Sequence, residues 1–289
     1  MAHGPWFGRK AKAAQKTARS GIDALPDGLW TKCPECSEIL FNKELEKNLR
    51  VCGKCGHHYI LSARERIALT VDDGTFEEMD AGITTVNVLD FPEYDEKLEK
   101  WRKGTGEVEC VVTGAAEIGG FRVIIGVLDF NFWAGTMGCA VGEKVVRAME
   151  RAIEERLPVV MFIASGGIRV QEGLPGLMQM AKTAAACARL HEAGLPYLVV
   201  LTDSSLAGVL ASYGSLGDVT LSEPGLLTGL TADRVAKQAQ VIHVPDNFRR
   251  AEFALEHGMI DRIVLRRELK STLVKLLQFC AIEEKIHAA

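Results

Sequence analysis

Two Cys-x2-Cys motifs near the N-terminus limit the fold of this chain more than any other feature. Cys33 and Cys36 form the first motif, and Cys52 and Cys55 form the second after fifteen intervening residues. This spacing is typical of four thiolates that hold one zinc ion. Four protein ligands complete a tetrahedron and leave no position for water or substrate. We therefore predict a structural Zn2+ site with one ion per chain.

The predicted metal site makes residues 29–60 a small zinc ribbon of short strands that needs its metal to fold. Other interpretations of the four cysteines stay open: two disulfides, a redox pair, or a site in which His57 or His58 replaces one thiolate. The remaining four cysteines lie among apolar or small residues, which favours buried structural thiols over nucleophiles. These are Cys110, Cys139, Cys187 and Cys280.

The charge of the chain is unevenly distributed. Residues 1–60 contain ten Lys or Arg and six Asp or Glu, a net charge of +4, whereas the whole chain of 289 residues has a net charge of −4. An acidic body does not fit a protein dedicated to nucleic acid. We expect residues 1–28 to form a basic flexible leader; a transit peptide or an arm that contacts RNA is the alternative.

No segment of the sequence is apolar for long enough to enter a membrane. The longest apolar runs have six residues or fewer, far below the roughly 20 residues of a transmembrane helix. The basic leader also lacks the apolar core of a secretory signal. We therefore expect a cytoplasmic protein that makes no contact with membranes.

A repeat with a period of 38 residues organises the rest of the chain. The apolar segment at 157–165 is echoed at 195–203, and the strand that begins at Phe121 precedes residue 159 by the same interval. Each strand is followed by a small-residue loop and a helix, at 141–157, 174–193 and from 206 onward. Such units predict an α/β superhelix in which each turn buries the apolar face of the next. A doubly wound sheet is the competing architecture.

Local signals place further elements before the repeat. A helix is predicted after Ser62, because Glu65 completes a capping box three residues later. A β-hairpin is predicted with strands at 109–117 and 121–130, since a Gly-Gly turn separates the two apolar runs. The acidic, Pro-containing segment that ends near Trp101 is predicted to be a linker.

The loops after the strands of the repeat are expected to carry the chemistry. They are rich in glycine and other small residues, at 131–138, 165–169 and 204–209. Glycine lets the main chain approach a ligand and direct amide groups at a developing oxyanion, although a simple tight turn is the alternative for each loop. An enzyme of this kind would use backbone amides more than side-chain acids.

Several other enzyme classes lack their signatures here. The sequence contains no phosphate-binding P-loop, no dinucleotide fingerprint and no G-x-S-x-G nucleophile elbow. No matching nucleophile accompanies His191, His243 or His257. We expect His191 and His257 to lie at helix ends. A nucleotide hydrolase or a serine hydrolase is therefore not expected.

Taken together, these motifs resemble the beta subunit of the bacterial acetyl-coenzyme A carboxylase carboxyltransferase. The resemblance covers nearly the whole chain after about residue 28, at 29–59, 129–150, 164–172, 178–182, 201–218 and 249–264. It implies a crotonase-like (ClpP/crotonase) domain of ββα units over residues 61–289, behind the zinc ribbon. It also implies transfer of a carboxyl group from carboxybiotin on a carrier protein to acetyl-CoA, which gives malonyl-CoA for fatty acid biosynthesis.

The same resemblance implies partners and site residues. The chain would form a heterotetramer with an alpha subunit and act with biotin carboxyl carrier protein and biotin carboxylase. The backbone amides of Ala207 and Gly208 would stabilise the thioester enolate, and CoA would lie near Ser165, Gly166, Gly167 and Arg169. For the Arg169 side chain, pairing with a CoA phosphate and an intramolecular salt bridge are the two alternatives.

Three positions depart from the family pattern. Ala207 stands where the family usually has Gly, Ile168 where it has Ala, and Ala232-Asp233 where it commonly has Gly-Pro. Ala207 keeps its N–H donor, at a cost of about 1–2 kcal/mol if the position requires a positive φ. Carboxyl transfer to propionyl-CoA is the alternative to transfer to acetyl-CoA.

Two rival functions belong to other classes. A crotonase-type hydratase, isomerase or decarboxylase that acts alone would need a carboxylate over the acyl group, and Glu172 is the nearest candidate. A regulatory module would bind nucleic acid through the zinc ribbon and the leader, with modest and strongly salt-dependent affinity. Carboxyl transfer is the main prediction.

Overall fold

The computed structural model describes residues 29–230, 245 and 247–287, with side chains up to residue 281. The predicted leader at 1–28, the Ala232-Asp233 pair and His243 lie outside these residues. The ribbon comes first: β1 (Trp30–Lys32) pairs antiparallel with β2 (Ile39–Phe41), and α1 (Asn42–Lys47) follows. The two cysteine motifs occupy tight turns on either side of β2 and α1.

Within the described part of the chain, the body is built on one mixed sheet. Across the sheet the strands are β10 (Arg262–Ile263), β8 (Val219–Ser222), β7 (Tyr197–Leu206), β6 (Val159–Ser165), β5 (Phe121–Leu128), β4 (Val111–Ile118) and β3 (Glu77–Met79). A further short strand, β9 (Thr228–Gly229), pairs parallel with the end of β7. The pairs β3–β4 and β4–β5 are antiparallel. The pairs β5–β6, β6–β7, β7–β8 and β8–β10 are parallel.

Helices cover both faces of this sheet. They are α2 (Ala63–Thr70), α3 (Tyr94–Thr105), α4 (Cys139–Glu155), α5 (Gly173–Glu192), α6 (Ala207–Leu210), α7 (Ala251–Glu256) and α8 (Arg266–His287). Short 3-10 turns occupy Trp133–Gly135, Val170–Glu172 and Tyr213–Ser215. No helix in the described ranges is long and apolar enough to cross a membrane.

The direction of winding distinguishes the two predicted architectures. Val145 and Met149 of α4 pack with Leu190 of α5 in one apolar cluster, so both helices lie on the same face of the sheet. Ile67 of α2 and Leu273 of α8 belong to the cluster on the other face. Because β5, β6, β7 and β8 lie side by side in chain order, the chain winds in one direction only. A doubly wound sheet would reverse its strand order and use both faces for its connections.

Most of the locally predicted elements are present. The helix after Ser62 is α2, and both hydrogen bonds of its capping box with Glu65 are formed. The hairpin is β4–β5, paired from Val111 with Leu128 to Ile118 with Phe121. The helices predicted at 141–157 and 174–193 correspond to α4 and α5. The helix predicted from 206 is only the four-residue α6, because the chain turns back at once toward β8.

The prediction of a linker before Trp101 is wrong. Residues 94–105 form α3, with Tyr94 and Leu98 buried against the apolar cluster under α4. The helix ends at Gly106, whose φ of +78° is left-handed and whose N–H donates to the carbonyl of Arg102. The high charge of this helix concealed its two buried positions.

Candidate active site

Three segments meet at the carboxyl ends of the parallel strands, where α/β sheets bind their ligands. We name residues 129–138 after β5 loop A, residues 166–172 after β6 loop B, and residues 206–208 the β7–α6 turn. Loops A and B are joined by backbone hydrogen bonds: Gly166 N donates to Ala134 O, Met137 N to Gly167 O, and Arg169 N to Met137 O, each at 2.8 Å. The two loops therefore form one rigid unit.

Loop B lies close against the β7–α6 turn because two positions lack a large side chain. Gly167 has a φ of +113°, and a Cβ on it would lie 2.7 Å from the Cβ of Ala207 and 3.4 Å from the amide nitrogen of Gly208. A Cβ on Gly208 would lie 2.5 Å from Cγ1 of Ile168. The predicted oxyanion pair and the predicted CoA loop are thus in direct contact.

The β7–α6 turn directs backbone amides out of the start of a helix. Residues 207 and 208 form the first turn of α6, whose N–H groups have no acceptor within the helix. Both residues are half-buried. Ala207 has a φ of +51°, so alanine at this position costs about 1–2 kcal/mol of backbone strain relative to glycine while it keeps the N–H.

Ser165 supports loops A and B from inside. Its side chain is buried; the hydroxyl donates to Gly135 O at 2.6 Å and accepts from Gly167 N at 3.0 Å. Gly135 itself has a φ of +62°, and a Cβ there would collide with the carbonyl oxygen of Ala164. The serine hydroxyl therefore shapes the loops, whereas Gly166 is exposed at their surface.

Of the two alternatives for the Arg169 side chain, the structure shows the intramolecular salt bridge. The guanidinium is fully buried and forms the intramolecular alternative, with Nη1 and Nη2 at 3.0 and 2.5 Å from the two carboxylate oxygens of Glu109. Nη1 also donates to Glu172 at 3.2 Å, and Nη2 to the carbonyl of Thr136 at 3.0 Å. Two buried carboxylates need a counter-charge, and Arg169 supplies it.

Glu172 does not provide the free base that a hydratase would require. Its carboxylate is buried and accepts from the Tyr94 hydroxyl at 2.7 Å, the Thr85 hydroxyl at 3.0 Å and Cys139 N at 2.6 Å. Burial raises the pKa of Glu172, but the hydrogen bonds from Cys139 and Tyr94 and the charge of Arg169 outweigh burial and lower that pKa. A carboxylate held in this way stays ionised and engaged.

Sequence reasoning missed Glu109 and Tyr94, which complete this network. A signal was available for Glu109, because an acid immediately before the apolar run of β4 faces burial and needs a cation. Tyr94 gave no such signal, since its role depends on α3. The Trp133 ring, 5.0 Å from the Arg169 guanidinium carbon, also belongs to the network.

The four cysteines of the ribbon fit one zinc ion. Their sulfur atoms all lie within 4.8 Å of one another, with Cys33–Cys55 at 3.6 Å and Cys36–Cys52 at 3.8 Å. Tetrahedral zinc with Zn–S bonds of about 2.3 Å places sulfurs about 3.8 Å apart. Burial raises the pKa of Cys33, but hydrogen bonds from the backbone of Cys36 and of Glu35 outweigh burial and lower that pKa to about 6. Four sulfur donors at these distances would hold Zn2+ without a histidine.

Three of the isolated cysteines are not activated. Burial raises the pKa of Cys139 to about 11 and that of Cys187 to about 12, and it raises the pKa of Cys110 well above its ordinary value. These side chains are therefore neutral thiols at physiological pH and poor nucleophiles. His191 lies in the last turn of α5 and His257 caps the end of α7, both at helix ends as predicted.

Two family models match the chain. Residues 60–244 match the carboxyl transferase domain. The chain belongs to the carboxyl transferase family. Residues 30–55 match the acetyl-CoA carboxylase zinc finger domain, the segment that holds the four cysteines. The predictions of a carboxyltransferase and of a structural zinc ribbon are therefore confirmed.

Relatives and solved structures agree with this family. The chain is 54% identical over 268 residues to the acetyl-coenzyme A carboxylase carboxyl transferase subunit beta of Desulforamulus reducens, across 93% of this chain and 92% of the relative. The same subunit of Pelotomaculum thermopropionicum is 48% identical over 277 residues, across 96% and 98% of the two chains.

Transcarboxylase 12S with hydrolysed methylmalonyl-coenzyme A bound has a similar structure, with a TM-score of 0.66 and 26% identity. The match covers 75% of this chain and 41% of that chain. A Pseudomonas malonate decarboxylase heterotetramer shares the fold, with a TM-score of 0.61 and 20% identity. This match covers 76% of this chain and 82% of that chain. The predicted fold class, an α/β crotonase-like superhelix behind a four-cysteine ribbon, is confirmed.

Proposed function

We propose that this chain is the beta subunit of an acetyl-CoA carboxylase carboxyltransferase. In this role it transfers the carboxyl group of carboxybiotin to acetyl-CoA and forms malonyl-CoA for fatty acid biosynthesis. One observation carries the proposal at the site: loop B and the β7–α6 turn meet through Gly167 and Ala207, with backbone amides at their junction. Membership of the family and the names of the relatives support the choice of substrates.

The residues of the site suit an enolate mechanism. Cleavage of the N–C bond of carboxybiotin releases carbon dioxide, and the biotin nitrogen left behind accepts a proton from the acetyl methyl group. Negative charge develops on the thioester oxygen of the resulting enolate, where the amides of Ala207 and Gly208 donate hydrogen bonds, and the enolate carbon attacks the carbon dioxide to form malonyl-CoA. Each donor of this kind contributes about 2.7–4 kcal/mol of transition-state stabilisation. The exposed backbone of Gly166 and the adjacent Gly167 contact the CoA moiety, in place of the buried Arg169 side chain.

The Gly208 amide can be tested separately from its side-chain space. Gly208→Pro removes the N–H, and a proline in the first turn of a helix breaks no hydrogen bond within that helix. Gly208→Ala adds the same Cβ and keeps the N–H. Both substitutions are made in the Ile168→Ala background, which removes the two closest contacts of the added Cβ and leaves the flexible Met180 side chain as the nearest, with its Sδ at 3.1 Å.

The assay is malonyl-CoA formation by the complex reconstituted with the alpha subunit and carboxylated biotin carrier. We expect the proline variant to lose a further ~10²–10³-fold in kcat relative to the alanine variant. Equal turnover by the two variants would remove this amide from the mechanism. Absence of malonyl-CoA formation by the unmutated complex, with all partners present, would contradict the proposed function itself.

We also propose that the alpha subunit covers the exposed apolar face of α5. Leu174, Leu177 and Met178 are exposed at the start of this helix, and Ala181 and Ala185 continue the same face. An apolar strip beside the site is typical of a protein contact. The heterotetramer would then act with biotin carboxyl carrier protein and biotin carboxylase. Nucleic-acid binding by the ribbon and a cytoplasmic location remain predictions.

A charge substitution on this face tests the docking proposal. Leu177, 50% exposed, is replaced in Leu177→Glu, and the matched control is Phe279→Glu, at a 63% exposed position of α8 on the opposite face of the sheet. We expect only Leu177→Glu to prevent co-purification with the alpha subunit. Equal assembly of both variants would place the interface elsewhere.

A further inference from the structure

The fully buried guanidinium of Arg169 connects three parts of the site. It forms two hydrogen bonds with Glu109, two residues before β4, and it donates to the Thr136 carbonyl in loop A and to Glu172 at the end of loop B. The Trp133 ring of loop A lies over it at 5.0 Å. One planar cation thus contacts loop A, loop B and the sheet.

The network extends from Arg169 to the start of α4. The other oxygen of Glu172 accepts the backbone N–H of Cys139, the first residue of that helix, at 2.6 Å. Gly138 lets this contact form, because a Cβ there would collide with the Glu172 carboxylate. The ends of loops A and B are therefore both fixed by the Arg169–Glu172 pair.

The backbone of Arg169 transmits this fixation to the amide donors. Arg169 N donates to Met137 O, and Met137 N donates to Gly167 O, both at 2.8 Å. Gly167 in turn lies against Ala207 with no space for a Cβ. Displacement of the guanidinium would therefore displace loop B relative to the β7–α6 turn.

We infer that Arg169 is a positioning residue for carboxyl transfer, acting through Gly167 on the amides of the β7–α6 turn without contact with substrate. This inference rests on the proposed function. It requires arginine in particular, because only a planar fork can pair with both oxygens of Glu109 and also reach Thr136 and Glu172. A lysine keeps the charge but loses most of these bonds.

A second buried pair provides a matched control. Arg66 is 4% exposed, its Nη1 lies 2.8 Å from Glu223, and its guanidinium lies 5.3 Å from the Phe162 ring. Phe162 belongs to the apolar cluster on the sheet face opposite α4 and α5. Loss of this pair disturbs a buried charge of the same kind, and the hydrogen bond that it removes goes to Glu223 and not to loop A or loop B.

The experiment compares Arg169→Lys, Arg169→Met and Arg66→Met in the reconstituted complex, with kcat and KM for acetyl-CoA corrected for the folded fraction. We expect both Arg169 variants to lose ~10²-fold in kcat, as small displacements of catalytic groups do, in addition to any change in KM from loop B. We expect Arg66→Met to keep its kcat. Unchanged kcat in Arg169→Lys, a change in KM alone, or an equal loss in Arg66→Met would overturn the inference.

Amide hydrogen exchange gives a readout that does not depend on turnover. In Arg169→Lys, and in Glu109→Gln as a milder second variant, exchange should accelerate at the hydrogen-bonded amides of Gly166, Gly167 and Met137, whereas Arg66→Met should leave these amides unchanged. Protected amides in all variants would overturn the inference even if the complex proved inactive. If the unmutated complex is inactive while exchange is accelerated in Arg169→Lys, the proposed function is contradicted and the positioning role of Arg169 in the loops is not.

Discussion

Gly167→Ala applies the smallest possible perturbation at the junction of loop B and the β7–α6 turn. The native residue has a φ of +113°, which side chains rarely adopt, and the added Cβ would lie 2.7 Å from the Cβ of Ala207. The substitution therefore imposes backbone strain and pushes the two segments apart. Both effects act on the amide of Gly208, which lies 3.4 Å from the position of the new Cβ.

The expected cost has two separable parts. A left-handed backbone costs an L-residue about 1–2 kcal/mol, and overpacking costs about 1–3 kcal/mol, so the free energy of unfolding should fall by about 2–5 kcal/mol. Ala207→Gly removes the methyl group that the new Cβ would meet and should recover the overpacking part. On its own, Ala207→Gly relieves the backbone strain at a φ of +51°. Glycine also makes the unfolded chain more flexible, which opposes this gain. The free energy of unfolding should therefore change by about 1 kcal/mol or less.

The measurement is a double-mutant cycle on the zinc-loaded chain, using urea unfolding of the native chain, both single variants and the double variant. We expect a favourable coupling free energy of at least about 1 kcal/mol between positions 167 and 207. Malonyl-CoA formation should fall ~10²-fold in Gly167→Ala and recover partly in the double variant. Additive free energies, with coupling near zero, would show that the two segments are not in contact and refute the geometry of the site.

Three further perturbations have defined outcomes. Zinc removal with a chelator should accelerate amide exchange in the ribbon but not in the β4–β5 hairpin, since so small a ribbon needs its metal; a protected ribbon would contradict the zinc assignment. Burial raises the pKa of Glu223, but its two arginine partners outweigh burial and hold that pKa well below its ordinary value. The ionised Glu223 carboxylate stabilises the folded chain fully above the unfolded pKa of about 4.3, and this contribution is lost as the pH falls through the lower folded pKa. The free energy of unfolding in urea should therefore depend less on acid pH in Glu223→Gln than in the native chain. Gly135→Ala should lower the free energy of unfolding by at least about 3 kcal/mol, because its Cβ would meet the Ala164 carbonyl, whereas Gly120→Ala, at a φ of +79° in open space, should cost only about 1–2 kcal/mol by the same measurement.

Features determined by short-range chemistry were predictable from the sequence. The spacing of Cys33, Cys36, Cys52 and Cys55 specified the metal cluster, and the four sulfurs meet as expected. The capping box at Ser62 requires only residues of one helical turn. The 38-residue repeat predicted the strands and the helices α4 and α5, because each unit must bury an apolar face against the next.

Features determined by distant partners were not predictable in the same way. The two alternatives for the Arg169 side chain stayed open because its partner, Glu109, lies 60 residues earlier in the chain. The helix α3 was mistaken for a linker because its burial depends on the apolar cluster under α4. The positive φ of Ala207 arises where β7 ends against loop B, a junction that no local pattern describes.

Carboxyl transfer at this site depends on backbone amides of the β7–α6 turn that receive the thioester oxygen as it gains charge. A crystal structure of the assembled complex with acetyl-CoA would give the distance from the thioester oxygen to the amide nitrogens of Ala207 and Gly208. We expect about 2.7–3.1 Å to these donors. A thioester oxygen that points away from the turn and bonds to a side chain instead would contradict this expectation.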